Sequence, residues 1–165
     1  MVYGGVLNGV PNPDVIWAGG ANYGTNGPYV IALRTNAANP FTFIWSKMTN
    51  QPIGIVANPS NWQEAYYLTK SNIFQTIDAG QNWSDITANL YKGARFQTLE
   101  FLPLPSGDAL AAGTDDGVYI TRLSGVPKWW TRLGSSLPRA MARSLHYDPS
   151  DQILAVGTFG RGAWT

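Results

Sequence analysis

The chain has 165 residues, a formal net charge of +1, and 13% charged residues, about half the share typical of globular proteins. This balance excludes an electrostatic argument for binding nucleic acid or an anionic membrane. There is no cysteine, so disulfides, thiol catalysis and cysteine-based metal sites are also excluded. The 18 glycines, 11 prolines and 13% aromatic residues favour an all-β fold with many tight turns.

The first 50 residues contain a predicted four-stranded unit with some distortion. Strands are predicted at residues 2–6, 15–18 and 29–33 from their apolar runs. The dipeptides Asn8-Gly9 and Asn26-Gly27 supply turn chemistry between them. Trp45, with Met48 three residues further on, marks the fourth strand.

Three later segments repeat this layout at intervals of about 45 residues. Each begins with a strand that ends at a proline, because proline lacks the N–H that a ladder requires; these are Pro59, Pro103 and Pro149. Second strands are predicted at residues 65–68, 109–112 and 153–156, and third strands at 73–76, 118–122 and 162–165. A tryptophan and an apolar residue three positions later mark the fourth strands, as in Trp83 with Ile86 and Trp130 with Leu133. The last repeat is predicted to lack its fourth strand.

A repeat of this length built from short strands predicts a β-propeller of about 3.75 four-stranded antiparallel blades. The chain is interpreted as a single partial propeller domain over residues 1–165, with blades at about 1–50, 51–93, 94–137 and 138–165. Blades bury their faces only against neighbours, so an open array leaves apolar end faces in water. We therefore expect a piece of a larger propeller, or a chain that closes a ring by self-association.

One segment carries a family motif. Thr76, Asp78, Gly80 and Trp83 match the pattern Ser/Thr-x-Asp-x-Gly-x-x-Trp at every fixed position. The Asp78 carboxylate can accept backbone N–H groups across a hairpin turn, Gly80 permits positive φ, and Trp83 can pack between sheets. The segment resembles the Asp-box, or BNR repeat, of sialidases, xyloglucanase-type glycosidases, sortilin-like receptors and secreted bacterial propellers.

The resemblance implies a structural turn distant from any active centre, and a partial propeller of a bacterial secreted repeat protein. It also implies an extracellular or cell-surface location. The N-terminus shows no signal peptide, because it lacks a basic start and a sustained apolar run. No run of 18 apolar residues is present, so no membrane span is predicted.

Five residues are candidates for ligand binding, and each has an ordinary structural alternative. Glu100 is the only acid inside a predicted first strand, and His146, the sole histidine, aligns with it. Arg143 could supply one arm of a carboxylate-binding arginine triad of the sialidase kind, or be an edge arginine. Trp62, in a predicted loop, and Trp129 fall outside the repeat register, so they could stack on a sugar or pack between blades. No metal site and no cofactor is predicted.

The composition and motifs favour a non-enzymatic propeller module that binds protein or carbohydrate partners. One alternative is a fragment of a sialidase- or xyloglucanase-type glycoside hydrolase, in which Glu100 would pair with a second acid as the mechanism requires. Another is a self-assembling half-propeller with a purely structural role. The low charge of residues 1–63 favours a surface covered by another chain or by the rest of a larger propeller.

Overall fold

A computed structural model of the protein describes residues 1–20, 29–44, 50–90, 93–125 and 128–165. In these ranges every regular element is a β-strand. None of the described residues forms a helix of the length and apolarity that a bilayer crossing needs. The chain forms two compact units, residues 1–85 and residues 86–165, which are described separately. A single propeller domain over residues 1–165 stays a prediction.

Sheet 1 of the first unit has four antiparallel strands in the order β1-β4-β5-β6. They are β1 (Val2–Tyr3), β4 (Ile16–Gly20), β5 (Val30–Arg34) and β6 (Thr42–Ile44). A small separate hairpin pairs β2 (Val6–Leu7) with β3 (Val10–Pro11). Its turn residues Asn8 and Gly9 both have positive φ, 52° and 79°, as the predicted Asn-Gly turn requires.

The predicted single strand at residues 2–6 is wrong. Gly4 and Gly5 have φ values of 76° and 150°, which break the extended chain between β1 and β2. A Cβ on Gly5 would lie 2.7 Å from the Cβ of Trp62, so only glycine permits this approach. The predicted Asn26-Gly27 turn and the pair Trp45 and Met48 lie outside the described residues, and the fourth strand of sheet 1 is β6.

Sheet 2, also in the first unit, contains β7 (Gly54–Asn58), β8 (Asn61–Leu68), β9 (Ile73–Thr76) and β10 (Ser84–Asp85), paired in chain order. Strand β7 ends immediately before Pro59, as predicted. The core between sheets 1 and 2 consists of apolar residues from both: Val15, Trp17, Ile31, Leu33, Ile55, Ala65 and Tyr67.

The second unit contains two sheets. Sheet 3 has β11 (Phe96–Leu102), β12 (Ala109–Thr114), β13 (Gly117–Arg122) and β14 (Thr131–Arg132) in chain order. Sheet 4 has β15 (Ala142–Asp148), β16 (Ile153–Thr158) and β17 (Gly162–Trp164). These are the strands of sheet 4 within the described residues.

Sheets 3 and 4 approach closely where a glycine faces a neighbouring backbone. A Cβ on Gly113 would lie 2.6 Å from the carbonyl oxygen of Ala142 and 2.6 Å from the Thr98 methyl carbon. Side chains alternate along β15 at this interface: Leu145 and Tyr147 are buried, whereas His146 between them is exposed. The buried residues of the unit include Leu102, Ala109, Ala111, Val118 and Val156.

Candidate functional site

The Asp-box segment forms a turn closed by its own side chains. The main-chain N–H of Asn82 donates to Asp78 Oδ1 over 2.9 Å, and the Asn82 side-chain amide donates to Oδ2 over 2.7 Å. The Thr76 hydroxyl donates to Asp78 Oδ1 and accepts the N–H of Gly80, over 2.8 and 2.9 Å. Gly80 has a φ of 85°, as predicted for this position. These bonds, led by the Asn82 N–H, hold the pKa of Asp78 below its ordinary value.

Trp83 follows this turn and packs between the two sheets of the first unit. Its ring makes edge contacts with Tyr67 at 4.7 Å and with Trp17 at 6.2 Å between ring centroids. Asp78 therefore positions a packing residue, and its carboxylate is already occupied by donors from its own turn. Thr76, Asp78 and Gly80 thus form a turn and Trp83 packs beside it; the structural role of the four motif residues stays a prediction.

Glu100 and His146 come together across the second unit. Their strands, β11 and β15, are the first strands of sheets 3 and 4, and His146 Nδ1 lies 3.9 Å from Glu100 Oε1. The same carboxylate oxygen accepts the main-chain N–H of Tyr147 over 2.9 Å. Burial raises the pKa of Glu100, and this effect exceeds the opposing ones of the Tyr147 N–H and of His146. Glu100 thus links the two sheets.

This pairing bears on the glycosidase alternative. Glycoside hydrolysis needs two carboxylates facing one bond. The contacts of Glu100 in the described structure are with Tyr147 and His146, neither of which is an acid. Within the described residues there is also no group of three or more side chains suited to bind a metal ion.

Arg143 lies on the same strand as His146 and forms an exposed pair with Phe159. Its guanidinium carbon sits 5.4 Å from the centre of the Phe159 ring, and its Nε–H donates to Met141 Sδ over 3.2 Å. The Phe159 side chain is 69% exposed. Arg143, Phe159 and Met141 form what we call the Arg–Phe surface. The sequence indicated Arg143, but it carried no signal for the other two residues.

Trp62 was predicted to lie in a loop, and this prediction is wrong. It is the second residue of β8, because Pro59 and Ser60 form a two-residue turn that pairs Asn58 with Asn61. Its side chain is half-buried against the core of the first unit. Its carbonyl oxygen accepts the indole N–H of Trp17 over 3.1 Å. Trp62 therefore contributes to packing between sheets 1 and 2.

Trp129 is exposed, and its neighbour Trp130 is buried. The Trp129 side chain is 65% accessible and borders an open groove of about 380 Å³. The other lining residues come from strands β13 and β14 and the segment between them: Ile120, Thr121, Arg122, Ser124 and Thr131. Arg122 is held at the groove by bonds to Ser106 Oγ and the Gly107 carbonyl, over 2.8 and 3.0 Å.

A smaller apolar cavity of about 110 Å³ lies at the β17 side of sheet 4 and had no counterpart in the sequence predictions. We call it the edge cavity; its lining includes Leu133, Ser136, Leu137, Leu154, Val156 and Trp164. The five predicted binding residues contribute nothing to its lining.

The sheets and their chain-order pairing define this chain as a β-propeller protein by fold. A solved structure of YCF48, a β-propeller, bound to D1 peptide is similar to it, with a TM-score of 0.53 and 18% sequence identity. The match covers 82% of this chain and 42% of the YCF48 chain, so the present chain spans under half the length of that protein. No family model matches the sequence, and no curated protein matches it either.

Proposed function

We propose that this chain is a non-enzymatic β-propeller module that binds protein segments carrying an exposed carboxylate, through the Arg–Phe surface. The fold is similar to that of YCF48, whose structure was solved with a peptide bound. The observation that carries the proposal is the exposed stacked pair of Arg143 and Phe159. Arginine and aromatic side chains are enriched where protein interfaces gain most of their binding energy.

The contacts of Arg143 differ from those of the other lysine and arginine residues between positions 117 and 147, whose side chains contact oxygen atoms. Arg122, Lys128 and Arg132 donate to main-chain carbonyls, and Arg139 lies 3.8 Å from the Asp116 carboxylate. In the described part of the chain, Arg143 contacts a ring and a sulfur atom instead. Its guanidinium therefore keeps donors for the two oxygens of an incoming carboxylate.

The test is a selection of displayed random peptides on the full chain, followed by calorimetry with synthetic versions of the selected peptides. We expect enrichment of Asp, Glu or C-terminal carboxylates, and Arg143→Ala should weaken binding at least tenfold. Arg139→Ala is the matched control, since it removes another exposed cation, one that already faces a carboxylate; it should change affinity less than twofold. Equal losses in both variants, or no enriched peptide, would refute the proposal.

Carbohydrate binding is a second candidate, favoured by Trp129. An indole exposed beside an open groove presents a ring face on which a sugar can stack, and Arg122 and Ser124 border the same groove. A glycan array probed with the wild-type chain tests this directly. Binding should disappear in Trp129→Ala and be partly retained in Trp129→Phe, which keeps an aromatic face. Glycan binding that survives Trp129→Ala would exclude the groove as its site.

The Asp-box turn supports a further part of the proposal, namely membership of the Asp-box superfamily. Its side chains make the mutual hydrogen bonds that the motif requires, and Trp83 packs between sheets. An extracellular or cell-surface location would follow from that kinship. Detection of the intact protein in the external fraction of its source cells tests the location, and retention inside them would contradict it.

A further inference from the structure

The open groove of about 380 Å³ beside Trp129, which we call the Trp129 groove, lies on one face of the strand pair β13–β14. These strands are antiparallel, and continuing their register beyond the last pair brings Arg122 opposite Trp129. Residues opposite each other point to the same face, so the two side chains are neighbours across the strands, in agreement with their shared place in the lining. Thr121 and Trp130 alternate with them, point to the other face and are buried. The groove thus brings a cation beside an exposed indole.

The same place is exposed in sheet 2, but it holds a different side chain there. Counting from the fourth-strand tryptophans Trp83 and Trp130, Asn82 takes the place of Trp129, and it is exposed too. The Asn82 amide donates to the Asp78 carboxylate of its own turn over 2.7 Å. Sheet 3 therefore has an aromatic ring at a place where sheet 2 has an amide that is already bonded.

Arg122 is held in a fixed position beside this ring. Its Nη1 group donates to Ser106 Oγ over 2.8 Å and to the Gly107 carbonyl over 3.0 Å. The loop that supplies both acceptors is closed by the Gly107 N–H, which donates to the Leu104 carbonyl over 2.9 Å. The Nε and Nη2 groups of Arg122 have no acceptor among the described residues. This edge of a guanidinium presents two parallel N–H donors, which match two oxygens of one anion.

Two hydroxyl groups complete the donors of the groove. Ser124 and Thr131 line it and are exposed, and within the described ranges of the chain their hydroxyls have no hydrogen-bond partner. The guanidinium edge and a hydroxyl together suit an anion with three oxygens, such as a sulfate ester, whereas a carboxylate has only two. Arg122 is the one charged side chain among the described residues of the lining, and it balances the single negative charge of a sulfate ester. A phosphate monoester carries about −1.5 to −2 at pH 7 and would leave part of its charge unbalanced.

We propose that the Trp129 groove binds a sugar that carries a sulfate ester. The sugar ring stacks on Trp129, and the sulfate oxygens accept from the Nε–Nη2 edge of Arg122 and from the hydroxyl of Ser124 or Thr131. This proposal rests on the carbohydrate candidate of the proposed function and adds the charged group that the ligand carries. The indole supplies contact area for any sugar ring with an apolar face, so the selection among sugars comes from Arg122.

The test is a glycan array probed with the full chain, followed by calorimetry. Each galactoside and N-acetylglucosaminide on the array is printed unsubstituted, as its sulfate ester, as its phosphate ester, and, for the galactosides, as the uronate. We expect the sulfate ester to bind at least tenfold more tightly than the other forms, because it alone satisfies all the donors of the groove at matched charge. This preference should weaken as the ionic strength is raised.

Protein variants assign the two parts of the ligand to two residues. Trp129→Ala should abolish binding of the sulfated and unsubstituted forms alike. Arg122→Gln should remove the preference for the sulfate ester and change the affinity for the unsubstituted form less than about twofold. Arg139→Gln is the matched control, because it removes another exposed guanidinium of the same unit, and it should leave the preference intact. Circular dichroism checks that Arg122→Gln is folded, and the comparison of glycan forms on the wild-type chain tests the inference even if it is not.

The inference and the proposed function fail separately. Equal binding of sulfated and unsubstituted glycans, a uronate or phosphate ester that binds as tightly as the sulfate ester, or a sulfate preference that survives Arg122→Gln would each overturn the inference. If unsubstituted glycans bind in a Trp129-dependent way, the carbohydrate candidate stands even when the sulfate preference is lost. If no glycan binds, both are excluded, and peptide binding at the Arg–Phe surface is still decided by Arg143→Ala.

Discussion

Replacement of each member of the Trp129-Trp130 pair tests how the fourth strand of sheet 3 is held. The two side chains are neighbours in sequence and have the same chemistry, but Trp129 is 65% exposed and Trp130 is 2% exposed. Trp130→Ala removes the buried ring and the indole donor to the Ile86 carbonyl, so that a buried acceptor loses its partner. Trp129→Ala removes a ring that is already mostly in water.

The expected magnitudes differ clearly. Truncation of a buried tryptophan costs about 3–5 kcal/mol of unfolding free energy. Within that, an unpaired buried carbonyl accounts for about 1–3 kcal/mol. An exposed substitution such as Trp129→Ala should stay within about 0.5 kcal/mol of the wild type. Because a domain is stable by only about 5–15 kcal/mol, the Trp130 loss is large enough to measure easily.

Urea unfolding monitored by far-UV circular dichroism is the assay, with the slope m compared between variants to confirm that the same surface unfolds. Trp130→Phe adds a graded point, because it keeps an aromatic ring and loses only the indole donor and part of the volume. A loss below about 1 kcal/mol in Trp130→Ala, or equal losses in the two alanine variants, would refute the reasoning.

Three further predictions concern single positions. Burial destabilises ionised Glu100 and raises its pKa in the folded state, so the free energy of unfolding should fall as pH rises from the ordinary pKa of 4.5 through the folded-state pKa. Unfolding measured at several pH values should show this part of the pH dependence disappear in Glu100→Gln. An unchanged pH dependence in that variant would contradict the prediction. Asp78→Ala should lower the melting temperature at pH 7. The pKa of Asp78 is lowered in the folded state, so the stability that its carboxylate contributes is present above pH 3.8 and is lost as pH falls through the folded-state pKa. An unaltered melting temperature at pH 7 would contradict this. Gly113→Ala should lower the free energy of unfolding by about 1–3 kcal/mol, because the added Cβ would press on the Ala142 carbonyl. Gly20→Ala is the control, since an added Cβ there meets no described atom within 4 Å. Equal stability of the two variants in urea would show that sheets 3 and 4 can separate at Gly113 without cost.

Much of the β-strand layout follows from local sequence. The repeat spacing and the closing prolines predicted β7, β11 and β15, because the missing proline N–H is a property of the chain itself. The Asp-box turn was equally predictable, since the hydrogen bonds among Thr76, Asp78, Gly80 and Asn82 join residues at most four positions apart. The strand predicted at residues 2–6 failed because Gly4 and Gly5 adopt positive φ, and Gly5 does so against Trp62, a residue distant in sequence.

The sequence by itself determined most of the strands and turns, since each depends on neighbours a few residues apart. Only the tertiary structure decided which side chains meet between sheets. It alone placed Glu100 against Tyr147 and His146, and set Arg143 over Phe159. These contacts join residues separated by up to 47 positions, and their geometry follows from how sheets pack, which no local pattern records.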